Sequence, residues 1–128
     1  MTIARVPSPS PYAPVIGFSA AVRAGDLVFV AGITAVTADG AIVGDDAHTQ
    51  AREALRKVGE ALHAAGARLE DVVQTRMYLT DAADWEAVGR AHGEVFGDVR
   101  PAAAMLVTGL LDPRMRVEIE AVAYVGDR

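Results

Sequence analysis

The chain has 128 residues, of which 52% are hydrophobic, with a net charge of −5 and a pI near 5.1. That length and a mean hydropathy of +0.23 suit one domain, residues 1–128, with its own core, and the acidic balance argues against nucleic acid or an anionic membrane surface, which need clustered Lys and Arg. Cysteine is absent, so disulfides and thiol catalysis are excluded and a reducing, cytoplasmic compartment is permitted; no run approaches the roughly 18 apolar residues of a membrane span, and the first residues lack a signal-peptide core.

Residues 7–14 hold four of the six prolines. A stretch so poor in backbone donors is read as neither central strand nor helix, and the Pro-rich N-terminal arm is expected to span residues 1–14, extended along the body or a neighbouring subunit. Phe18–Arg23 and Leu27–Ala31 read as two strands of an antiparallel hairpin joined by Ala24-Gly25-Asp26. Gly32 marks a bend or a place where a side chain would intrude, and Asp39-Gly40 is a turn signal.

From Asp46 to Ala65 the residues Ala47, Ala51, Ala54, Leu55, Val58, Ala61, Leu62 and Ala65 trace one helical stripe. Asp45 or Asp46 can cap its start, and Gly66 can end it in the left-handed conformation. Asp71–Thr80 then alternates, with Val73, Thr75, Met77 and Leu79 on one face and Gln74, Arg76 and Tyr78 on the other. Asp81 is placed to cap a second helix that buries Trp85, Val88, Ala91, His92, Val95 and Phe96 and stops at Gly97. Residues 100–107 and 116–123 read as two strands paired across a loop at Asp112-Pro113. In the last strand Glu118 and Glu120 project from the face opposite Val117, Ile119 and Ala121. The order β-β-α-β-α-β-β predicts an α+β fold: a single mostly antiparallel sheet with two helices on one face. The uncovered face predicts a closed homo-oligomer with ligand sites between subunits.

No nucleotide-binding glycine motif, nucleophile elbow or metal-ligand spacing occurs. His48 and His63 read as solvated, and His92 as a packing or hydrogen-bonding residue ahead of a site role. Arg76 and Glu120 stand out because both lie on polar strand faces, where a guanidinium can fix a carboxylate or bind an acidic substrate. An interface salt bridge is the plainer reading of that pair. Glu118 with Arg114 and Arg116 reads as a solvated rim.

The run Ala21–Gly32, the Gln50 helix, Ala64-Ala65-Gly66-Ala67 with Leu69–Val73, Tyr78-Leu79-Thr80-Asp81, Pro101-Ala102 and Val117-Glu118-Ile119-Glu120-Ala121 resemble, in this order, the reactive-intermediate deaminase family, of RidA or YjgF type. The resemblance spans roughly residues 13–125. It implies a chorismate-mutase-like trimer with three intersubunit clefts that hydrolyses imines and enamines to a keto acid and ammonia, with no metal or organic cofactor. It also implies that Glu120 holds the hydrolytic water and that Gly32 lies beside the cleft.

Three positions depart from the family pattern. Ala103 stands where an arginine clamps the substrate carboxylate, Phe18 replaces a tyrosine, and Gly89 replaces an asparagine. A cleft lined by Ala103 and Met105 suits a neutral or bulkier C=N compound better than a 2-imino acid, with Arg76 as a substitute anion site. The alternative is a non-catalytic member that binds a small metabolite or a partner protein. Ribonuclease activity, attached to some relatives, finds no basic, aromatic groove here.

Overall fold

The last strand sets the layers. In β6 (Val117–Tyr124), Val117, Ile119, Ala121 and Ala123 are buried while Glu118, Glu120 and Val122 alternate with them on the other face. In the computed structural model, which describes residues 2–126, β6 lies inside a single six-stranded sheet of order β1-β2-β3-β6-β4-β5. Met1 of the predicted arm, and Asp127 and Arg128, lie outside the described residues. The other strands are β1 (Ile3–Val6), β2 (Ala21–Ala24), β3 (Leu27–Ile33), β4 (Val72–Leu79) and β5 (Ala102–Val107). All pairings are antiparallel except β4 with β5, which is parallel. Helices α2 (Ala47–Ala64) and α3 (Trp85–Phe96) cover one face and enclose the core; α1 (Ala13–Ile16) is a single turn. The architecture is α+β, as the element order predicts. Among the described residues no helix is long and apolar enough to cross a membrane.

The N-terminal arm is more ordered than its prolines imply. Residues 3–6 pair with β2 as an edge strand, and Ala13–Ile16 turns once as a helix with Pro14 in its first turn. Proline is tolerated there because its missing N–H would have had no helical partner. Gly17, at φ 83°, ends the turn. The first predicted strand is shorter than expected and begins at Ala21.

Helix α2 follows its predicted stripe closely. The Asp46 carboxylate accepts from the Thr49 N–H as cap, and Gly66 lies at φ 83° beyond the end. The stripe also buries a polar residue, Gln50. Its amide donates to Gly44 O at 3.0 Å and Arg114 O at 2.9 Å, and its oxygen accepts from Arg116 N at 2.8 Å. Gln50 thus ties the loop before α2 to the segment that leads into β6.

Three expectations need correction. The strands β5 and β6 do not pair, because β4 lies between them; a shared alternation cannot tell neighbours from next-nearest neighbours. Val73 is 48% exposed rather than facing inward, because the β4–β6 register shifts between Val72 and Gln74 and an inserted residue flips the face of its neighbour. Trp85 is 59% exposed. Asp81 caps a 3-10 turn, Ala82–Asp84, that precedes α3, so Trp85 sits at the helix start instead of within its buried stripe.

Candidate functional site

The β3–β6 register shifts between Val30 and Ile33, and Gly32 lies in that irregular stretch. A Cβ placed on Gly32 would come within 2.5 Å of Glu118 Oε2, so the glycine leaves the space that the carboxylate occupies. Gly32, Glu118 and Phe18 line one cavity of about 470 Å³. Val6 and Pro9 of the N-terminal arm and Ile16 of α1 form part of its wall, with Leu111 and Met115 from the loop before β6. From α2, Lys57, Glu60 and Ala61 also reach it. Most of this lining is apolar.

Glu118 is half-buried rather than part of a solvated rim. Burial pushes its carboxyl above the usual glutamate value, and the neighbouring Glu120 adds to that shift. The rim reading fits Arg114 and Arg116, which are exposed: Arg114 pairs with Asp112 at 2.8 Å, and Arg116 donates to Asp45 O at 2.8 Å.

Glu120 sits elsewhere. It lies directly opposite Arg76 in the β4–β6 register, with Arg76 Nη1 at 3.5 Å from Oε1. The Tyr78 hydroxyl donates to the same oxygen at 2.6 Å, which raises the Tyr78 pKa. This cluster opens on a separate hollow of about 150 Å³, lined by Phe29, Gln74 and Thr75 among others. The carboxylate beside Gly32 and Phe18 is therefore Glu118, two residues from the one singled out by the sequence.

A third group lies at the far edge of the sheet. The Met105 methyl is 4.0 Å from where a Cβ on Gly89 would be, and Ala103 is exposed on β5. Strands β6 and β4 stand between β3, which carries Gly32, and β5, which carries Ala103. Among the described residues, the cavity lined by Gly32 and Phe18 is not lined by Gly89, Ala103 or Met105.

His92 plays the packing part. Its Nε2 is 2.9 Å from Thr75 Oγ1 and its ring lies 4.8 Å from that of Phe96; burial holds its pKa below the usual histidine value. His48 pairs with Glu94 at 3.0 Å on the surface. Among the described residues no group of three or more His, Asp or Glu is placed to hold a metal ion.

Sequence reasoning missed Lys57, and it misjudged Glu118. A glycine in a strand facing an alternating carboxylate was the available signal, but strand register decides which of two carboxylates it meets.

Comparison with known proteins identifies the family. The family model described as Endoribonuclease L-PSP matches residues 9–125. A crystal structure of Rv2704 from Mycobacterium tuberculosis, a member of the YjgF/YER057c/UK114 family, superposes with a TM-score of 0.89 at 45% identity, covering 97% of this chain and all (100%) of that one. A Streptomyces coelicolor protein, Uncharacterized protein SCO2049, is 42% identical over 97% of this chain and 93% of its own. The 3-aminoacrylate deaminase RutC of Acinetobacter baylyi is 34% identical over 92% of each chain. This chain belongs to the YjgF-type reactive-intermediate deaminase family.

Proposed function

We propose that this protein is a cytoplasmic imine and enamine hydrolase of the deaminase type, acting without a metal or organic cofactor, with Glu118 as the group that handles the proton of the attacking water. The observation that carries this reading is the half-buried Glu118 carboxylate set against Gly32 in a largely apolar cavity. A relative named as a 3-aminoacrylate deaminase supports the reaction class.

The chemistry follows from that placement. For a protonated imine, water oxygen bonds to the carbon as the C=N π pair moves to nitrogen, and Glu118 takes the water proton. Glu118 returns this proton to nitrogen, which makes it a leaving group. The C–N bond then breaks with its electron pair going to nitrogen, ammonia leaves, Glu118 takes the hydroxyl proton as the carbonyl forms, and that proton passes to ammonia to give ammonium. A carboxyl whose pKa is raised by burial from the usual glutamate value is suited to taking up a proton and giving it back.

The site is completed between subunits in this proposal. The uncovered sheet face exposes Leu27, Phe29, Leu106 and Tyr124, an apolar surface that a partner would cover. A trimer would bring the Gly89, Ala103 and Met105 edge of one subunit to the Gly32 and Phe18 cavity of the next. Arg76, already engaged by Glu120, serves the sheet face in this arrangement and not the substrate.

The test is ammonia release by the purified chain from freshly generated imines and enamines, with its mass measured by light scattering. Turnover by a particle of three times 13.4 kDa is the expected result. A monomer, or no ammonia above the uncatalysed rate from any compound, would overturn the reading.

A further inference from the structure

The cavity contains a cation that makes no ion pair with a carboxylate among the described residues. Lys57 reaches it from α2, half-buried, and its Nζ donates to Thr34 O at 2.8 Å and Val36 O at 2.7 Å. These two carbonyls fix the ammonium at the cavity wall and use two of its three N–H donors. Its helix neighbours Glu53 and Glu60 both pair with Arg56, at 2.7 and 2.9 Å. Among the described residues no carboxylate makes an ion pair with Lys57. Burial depresses the lysine pKa, with Glu53 and Glu60 opposing and Arg56 reinforcing that effect at longer range. A desolvated charge held only by neutral carbonyls gains most from an incoming anion.

Glu118 lines the same cavity, and among the described residues no cation pairs with it. The cation from α2 and the carboxylate from β6 thus share a space in which the third charged lining residue, Glu60, is paired with Arg56 at 2.9 Å and the remaining surface is mainly apolar. A ligand that satisfies both has an anionic end, a reacting carbon next to it and an apolar side chain.

We infer that Lys57 is the carboxylate anchor of this cavity, a specificity-determining cation supplied by α2 in place of one at position 103, and that it selects an acid with an apolar side chain over the neutral counterpart. The inference rests on the proposed hydrolytic site. It returns to the substrate list the 2-imino acids that Ala103 alone argues against, because the cation comes from a different element. Ile16, Phe18, Leu111 and Met115 would receive the side chain.

The test separates binding from turnover. The full chain is titrated calorimetrically with 4-methyl-2-oxopentanoate and with the neutral 4-methyl-2-oxopentanamide. The unaltered protein is expected to prefer the acid at least about tenfold. Lys57→Gln should lose about ten- to hundredfold in acid affinity and keep its weak amide binding, and Lys57→Arg should retain most of the preference. Because Lys57 also tethers the Thr34–Val36 loop, nitrogen NMR of the Lys57 ammonium in the unaltered protein supplies a second readout: the signal should move with the acid and not with the amide. Equal affinity for acid and amide, an unchanged Lys57→Gln, or a silent ammonium signal would each overturn the inference. Glu118→Gln should still bind the acid, so a failure of the hydrolytic reading, seen as undiminished turnover in that variant, leaves the Lys57 result to be judged by itself.

Discussion

Glu118→Gln is expected to lower kcat/KM for imine hydrolysis by about 10²- to 10⁴-fold, the usual contribution of a positioned proton-transfer group. Glutamine keeps the shape of the side chain in the space beside Gly32 but cannot take a proton from water. Substrate binding should change little, so the loss should fall on kcat. The sign of the pH effect follows from burial: the carboxyl must be ionised to act, and its pKa is raised. The acidic limb of the rate profile should therefore lie above the ordinary glutamate value of 4.5 and disappear in the variant. Glu120→Gln is the control, since Glu120 faces Arg76 and Tyr78 in a separate hollow and its replacement should leave kcat within a few fold. Full activity in Glu118→Gln together with loss in Glu120→Gln would reverse the assignment.

Gln50→Leu should cost about 3 kcal/mol of folding free energy. Leucine fits the volume, yet it strands two carbonyls and one N–H, each costing about 1–3 kcal/mol when buried without a partner, less what water recovers. Gln50 is 1% exposed, so recovery should be limited. Urea unfolding at matched protein concentration is the measurement, with a lower midpoint and an unchanged slope expected. A loss below about 1 kcal/mol would show that the loop before α2 and the entry to β6 hold together without this side chain. Activity should fall too, because Arg116 N, two residues before Glu118, is one of the groups that Gln50 holds.

The local elements were legible wherever one physical rule governed them. The α2 stripe from Ala47 to Leu62 could be read off the sequence because helical periodicity needs no knowledge of neighbours, and the Asp46 cap and Gly66 stop are local events. The turns at Gly25 and Gly40 have positive φ, of 62° and 91°, as their glycines foretell. The alternation of β6 announced that Glu118 and Glu120 share a face opposite the core. The motif order carried the family, since it spans nearly the whole chain.

Pairing and partnership were not legible. Whether β6 sits beside β5 or beside β4 depends on contacts distant in sequence, and alternation is the same in either case. The two register shifts, at Val30–Ile33 and Val72–Gln74, arise where strands of unequal path meet. One of them turns Val73 outward, and the other sets Glu118 against Gly32. Lys57 looks in the sequence like a solvated helix lysine; only the approach of the Thr34–Val36 segment to α2 makes it a held cation at a cavity wall. The sequence by itself determined the periodic elements and the face each carboxylate occupies, because these follow from backbone geometry within a few residues. Which carboxylate and which cation share a cavity was decided by tertiary structure, because strand order and register are fixed by packing the whole sheet against its helices.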